Sequence, residues 1–151
     1  MYFHKPGRFD SKAYAENRRA KRELVRDGNA HGTIVFCGAE PVAWCQFGPR
    51  EELQRIDRKR GYNPTSPEAW RITCLFVSRG HRRLGFADLA VRKSLATMKR
   101  LGAKSVEGYP IEGKLAASFL WSGTPGLFER AGFVRVGPLG KKTWIYSLKL
   151  R

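Results

Sequence analysis

The chain has 151 residues, 42% hydrophobic and 12% aromatic, which excludes an intrinsically disordered protein and is enough for one domain with its own core. No run reaches the ~18 apolar residues of a membrane span, and the start MYFHKPGRFD has no apolar signal segment, so a cytoplasmic protein with no membrane partner is expected. A formal net charge of +16 points instead to an anionic partner, small or large.

Taken in chain order, Ser11 is placed to cap a helix that runs to Asp27 and stops at Gly28. Its apolar stripe is thin (Ala13, Ala20, Leu24, Val25), so the helix is expected on the surface of a sheet. Thr33–Cys37 and Val42–Phe47 are β-rich runs flanking the turn Gly38-Ala39-Glu40-Pro41, and read as a hairpin. A short helix is predicted from Glu51 to Arg60, with Leu53 and Ile56 inward and a Glu51–Arg55 pair outside. GYNPTSPEA is a loop by its prolines and glycine. Trp70–Val77 is the strongest strand pattern, and Gly85–Leu101 is helical, with Ala87, Val91, Leu95 and Met98 on one face, an Asp88–Arg92 pair and Gly102 as its stop. Ser105–Tyr109 returns as a strand, Thr124-Pro125 opens a short helix to Ala131, and Phe133–Val136 with Thr143–Leu150 forms a last hairpin. This order specifies a mixed sheet with helices on its faces, the Gly85–Leu101 helix crossing between two parallel strands.

Cys37, Cys45 and Cys74 are odd in number, lack CxxC spacing and lie in apolar runs, so buried reduced thiols are expected. His4, His31 and His81 have no metal-ligand spacing, and no metal is expected.

Half of the net charge lies between Arg71 and Lys104, where nine cations (Arg71, Arg79, Arg82, Arg83, Arg92, Lys93, Lys99, Arg100, Lys104) face one acid, Asp88. A solvated helix face accounts for Arg92, Lys93, Lys99 and Arg100, but less well for the arginines of RGHRRLG, which sit between a strand and a helix. The N–H groups of a helix's first turn have no intrahelical acceptor and its dipole adds positive potential, so phosphate binds there. Gly85 would give an anion access to the main chain, and small Ala87 would seat the helix against the strand.

The run LFVSRGHRRLGFADLAV resembles the acyl-CoA-binding segment of the GNAT superfamily of N-acyltransferases, whose (Q/R)-x-x-G-x-(G/A) signature is matched by Arg82, Gly85 and Ala87 after a strand ending in Val77. Gly132-Phe133 resembles the family's GF pair. WCQFGPREEL, VEGYP and SGTPGLFERAGF resemble bacterial members of undefined substrate, which carry an additional early strand whose end Met1–His4 resembles. The resemblance implies a GNAT-like, mostly antiparallel mixed sheet of about six strands with helices on both faces. It also implies transfer of an acetyl group from acetyl-CoA, without a metal, to a primary amine by direct attack in a ternary complex. Leu75, Phe76 and Val77 would pair with the pantetheine, and Arg82, Arg83, Leu84, Gly85, Phe86 and Ala87 would hold the pyrophosphate. The acceptor would be a small-molecule or peptide amine. A nucleic-acid-borne amine and a noncatalytic CoA-binding module are the alternatives, and a monomer and a homodimer are both compatible.

The family's tyrosine acid is replaced here by Phe128, and its frequent asparagine by Trp121. Tyr109, Ser122 and Thr124 are candidate substitutes. Glu107, on the strand expected to face the acyl group with Tyr109 on the same side, is the candidate base, because an acid in an apolar strand beside a cleft has its pKa raised. Glu51, Glu52 and a water chain without any protein base are its rivals. Trp44, Phe47, Tyr62 and Trp70 are candidates for the acceptor pocket.

Overall fold

The computed structural model describes residues 2–5, 10–113 and 120–151. Helix α1 (Tyr14–Arg26) precedes the hairpin β1 (His31–Cys37) and β2 (Glu40–Gly48), and two 3-10 turns (Arg50–Glu52 and Gln54–Arg58) lead to β3 (Trp70–Val77). Helix α2 (Phe86–Arg100), β4 (Ser105–Gly108), α3 (Pro125–Arg130), β5 (Val134–Pro138) and β6 (Trp144–Lys149) complete the order expected from the sequence. Three local expectations are corrected. Ala13, not Ser11, stands before α1, without a side-chain cap. The helix expected from Glu51 is two 3-10 turns, which still bury Leu53 and Ile56. Tyr2–His4 forms a turn rather than a strand end, and Met1 lies outside the described residues.

The six strands order as β1-β2-β3-β4-β6-β5, and every neighbouring pair is antiparallel except β3 with β4. That parallel pair stays in register only from Trp70–Val106 to Ile72–Gly108, after which the strands diverge. A short segment fills the base of the opening: the Leu75 N–H donates to the Trp121 carbonyl at 2.6 Å, and the Ile111 N–H donates to that of Gly123 at 3.2 Å. At the same level β3 carries a bulge. Gln46 pairs with Cys74 but Phe47 pairs with Ile72, so Thr73 is skipped and the alternation of faces shifts.

One core lies between the sheet and helices α2 and α3, built on Val91, Met98, Ile72, Leu75, Val106 and Phe128. The opposite face carries Phe3, Leu53, Ile56, Tyr109 and Ile145. Helix α1 lies on that second side, where Lys21 reaches over the Trp44 ring and bonds to His4. Helices therefore cover both faces. Two glycines are fixed by the first core: a Cβ on Gly108 would overlap Phe128 Cε1, and one on Gly123 would meet Phe128 Cε2 at 2.8 Å.

Candidate active site

The opening between β3 and β4 leads to a cleft of about 710 Å³. Leu75, Phe76 and Val77 of β3 form one wall, and Trp121, Thr124 and Leu127 form the other. The junction of His81 to Asp88 closes one end. The ladder explains which groups face inward. The Ser78 N–H donates to the Val42 carbonyl, so alternation turns the main chain of Phe76 toward β2 as well, and that of Leu75 and Val77 toward the cleft. The Leu75–Trp121 hydrogen bond agrees with this. Phe76 therefore meets the cleft with its half-exposed ring rather than with backbone groups, which corrects one of the three expected main-chain contacts.

At the junction, Arg83 (φ 63°) and Gly85 (φ 85°) both take left-handed backbone. The conformation suits Gly85, which has no Cβ, and is unusual for an arginine. The first α-helical bond here runs from the Leu89 N–H to the Gly85 carbonyl, so the N–H groups of Phe86, Ala87 and Asp88 have no carbonyl four residues back. No atom lies within 4 Å of where a Gly85 Cβ would stand, so the main chain there is open to a ligand. Arg82 folds its Nε back onto the Val77 carbonyl at 3.2 Å. Leu84, in contrast, is 66% exposed and does not line the cleft. Anionic phosphates fit the remaining set: free N–H groups at a helix start, an open glycine, and the Arg82 and Arg83 side chains.

Two ionisable lining residues were not anticipated from the sequence. His81 faces the cleft and its Nδ1 lies 2.8 Å from Ser78 Oγ. Arg130 pairs with Asp88 at 2.9 and 3.2 Å, tying α3 to the start of α2. Asp88 was expected to pair with Arg92. The hydrogen bond from Arg130 instead holds its carboxyl below the ordinary range, so this lining acid is already engaged.

Glu107 and Tyr109 lie elsewhere. Val106 and Gly108 face α2 and α3, so Glu107 and Tyr109 take the opposite side of β4, and neither lines the cleft. Glu107 is fully buried, and its carboxylate accepts from Tyr62 Oη (2.6 Å), Tyr109 Oη (2.8 Å), Thr65 Oγ1 (2.7 Å) and the Thr65 N–H (2.5 Å). The apolar setting expected around it is instead a polar cluster. Fully buried Arg71 continues that cluster, donating to both Asp57 oxygens at 3.0 and 2.7 Å and to Tyr62 Oη at 3.0 Å. Arg71 thus does not belong to the solvated basic surface. Burial, then the Glu107 charge, holds the Tyr109 phenol well above the ordinary tyrosine range, and its proton is committed to Glu107.

Other candidates divide similarly. Phe128 is buried, edge-on to Phe133 at 5.0 Å, away from the cleft lining. Ser122 is buried, and among the described residues its Oγ has no hydrogen-bond partner. Thr124 does line the cleft; its Oγ1 caps α3 by accepting from the Leu127 N–H at 3.4 Å, which leaves the hydroxyl proton available. Phe47 is core, stacked with Trp70, and Tyr62 is held by Glu107, so none of the expected acceptor aromatics lines the cleft. Cys45 is buried, its thiol pushed up to about 12 by burial, and Cys74 is half-buried; Cys37 is exposed, against expectation.

The sequence from residue 3 to 111 matches the model of the Acetyltransferase (GNAT) family. The chain belongs to this family. Known structures share its fold. An acetyltransferase from Thermus thermophilus is 19% identical with a TM-score of 0.61, over 99% of this chain and 82% of that one. Ribosomal-protein-alanine N-acetyltransferase from Brucella melitensis is 17% identical with a TM-score of 0.62, over 89% and 78%. YncA from Salmonella typhimurium, solved with its cofactor acetyl-CoA, is 15% identical with a TM-score of 0.60, over 90% and 73%. No curated protein sequence gives a significant match. Among the described residues, no group of three His, Cys, Asp or Glu side chains could hold a metal ion, and no helix is long and apolar enough to cross a membrane.

Proposed function

We propose that this GNAT domain transfers an acetyl group from acetyl-CoA to the nitrogen of a primary amine by direct attack. The observation that carries the reading is the cleft itself, which begins at splayed main-chain groups of β3 and ends at the free N–H groups of α2 beside Gly85. The acetyl-CoA-bound neighbour of the same fold supports it. The first-turn N–H groups, with Arg82 and Arg83, hold the pyrophosphate. Leu75 and Val77 flank the pantetheine, and the Val77 N–H is the donor for the developing oxyanion. Acetyl-CoA supplies an activated thioester. The neutral amine forms a C–N bond to its carbonyl carbon and the C–S bond breaks. Sulfur leaves with the bonding pair and takes a proton, while the proton lost by nitrogen passes to solvent.

In this reading no carboxylate of the cleft serves as base, since Asp88 is bound to Arg130 and Glu107 is saturated on the other side of β4. Glu107 and Tyr109 hold the loop around Tyr62 and Thr65 in place. Thr124 is the hydroxyl available to the leaving sulfur. Most of the rate enhancement then comes from orientation and the oxyanion donor.

Release of free thiol from acetyl-CoA with a panel of primary amines tests the reading, together with the thermal shift produced by CoA alone. Turnover with at least one amine is expected. Stabilisation by CoA without turnover of any amine would favour the second reading, a CoA-binding module, for which the hydroxyl-free Phe128 speaks.

A further inference from the structure

A second cavity, of about 430 Å³, lies beyond Trp121 and shares that residue with the cleft. Trp121 is well placed to divide the two. Its carbonyl is fixed by the Leu75 N–H at the base of the opening, and its ring lies 5.6 Å from that of Phe3 on the far side. The cavity combines three aromatic rings, Tyr2, Phe3 and Trp121, with three cations, Arg55, Arg58 and Lys59, and among the described residues no acid lines it. The second 3-10 turn and the residue after it bring the cations together. Arg55 is already ordered: its guanidinium stacks 3.8 Å from the Tyr2 ring centroid, and its Nη1 donates to the Lys5 carbonyl at 3.1 Å.

A third cavity, of about 520 Å³, has the opposite character, with Glu23, Asp27, Glu51 and Glu52 in its wall beneath α1. Among the described residues it shares none with the cleft. Its most sheltered acid is also engaged, Glu52 Oε2 lying 2.9 Å from His31 Nδ1. Contiguity with the cleft therefore selects the basic aromatic cavity over the acidic one.

We propose that this basic cavity takes the acceptor, and that the acceptor is an amine whose other end carries a carboxylate or a phosphate. The inference rests on the acetyl-transfer reading and adds the substrate class. Arginine and lysine side chains bind the anionic end, and the aromatic rings cover the intervening chain.

The test compares 4-(aminomethyl)benzoate and the corresponding phosphonate with neutral benzylamine and cationic p-xylylenediamine. kcat/KM is read from thiol release, and affinity for the CoA-saturated protein from calorimetry. One or both anionic amines should exceed benzylamine by about tenfold or more in rate or in affinity. Arg58→Gln combined with Lys59→Gln should shrink that preference to about twofold, while the thermal shift caused by CoA stays unchanged. The order of carboxylate and phosphonate identifies which anion the site takes. Equal values across the panel, p-xylylenediamine in the lead, or a preference that survives the double variant would overturn the assignment. Loss of any CoA response in the unaltered protein would instead overturn the acetyl-transfer reading beneath it.

Discussion

The two faces of β4 are finished in opposite ways, and neighbouring residues display the contrast. Gly108 gives up its side chain so that the Phe128 ring can lie against the strand, and the α2 and α3 side of the sheet beyond it opens into a cleft with free main-chain donors. Glu107, one residue earlier, points to the other side, where its carboxylate meets four hydrogen bonds and no space remains. A carboxylate becomes a base when it is under-solvated or faces a substrate. This one is solvated by the protein itself, and its role is cohesion.

The contrast can be broken from either side. The largest effect is expected for Gly108→Ala, whose Cβ would overlap Phe128 Cε1. Displacing a ring packed in the core should cost about 3 kcal/mol or more, measured as a fall in the denaturation midpoint. Glu107→Gln comes next. It turns an amide NH2 toward hydrogen-bond donors, and a loss of about 2 kcal/mol is expected. The pH profile of kcat should stay as it was, and a profile that loses its acidic limb, the fall in rate at low pH, would restore Glu107 as the base. Gly85→Val places a β-branched residue at φ 85°, which costs on the order of 1–2 kcal/mol in local backbone. Its sharper signature is weaker CoA binding, by about tenfold or more, read by calorimetry.

A smaller effect belongs to the α1 side. His4 Nδ1 donates to the Glu52 carbonyl, and its Nε2 lies 2.7 Å from both Lys21 Nζ and Gln46 Nε2. Burial, then the Lys21 charge, lowers its pKa from 6.5 to about 4. The unfolded chain thus binds more protons than the folded one between those values, so stability should fall as pH drops from about 6.5 to about 4. After allowance for solvent screening the change is about 1–2 kcal/mol. In the His4→Gln variant this slope should flatten, which denaturation at successive pH values would detect.

Much of the cleft was legible because it is local. A strand pattern ending at Val77, a glycine at a helix start and loop arginines between them need no distant partner to be interpreted. Residues that depend on tertiary pairing were not. Arg71 reads as one more cation in a basic window until Asp57, fourteen residues away, neutralises it inside the fold. Asp88 has a plausible helical partner in Arg92, yet Arg130 arrives from α3 with better geometry. The period of two correctly puts Glu107 and Tyr109 together, but only the Phe128 contact with Gly108 tells which side of the sheet that is. The bulge at Thr73 has no signature in the alternation of β3, although it shifts the face on which Leu75 falls.

The hydrogen bond from Leu75 to Trp121, with that from Ile111 to Gly123, has a consequence for the entropy of binding. The two diverging strands do not meet and part around a visitor; the protein's own chain keeps them separated. The opening is thus preorganised. Ligand affinity is not reduced by prying a sheet apart, and the cleft and the cavity beyond Trp121 are both formed before either is filled.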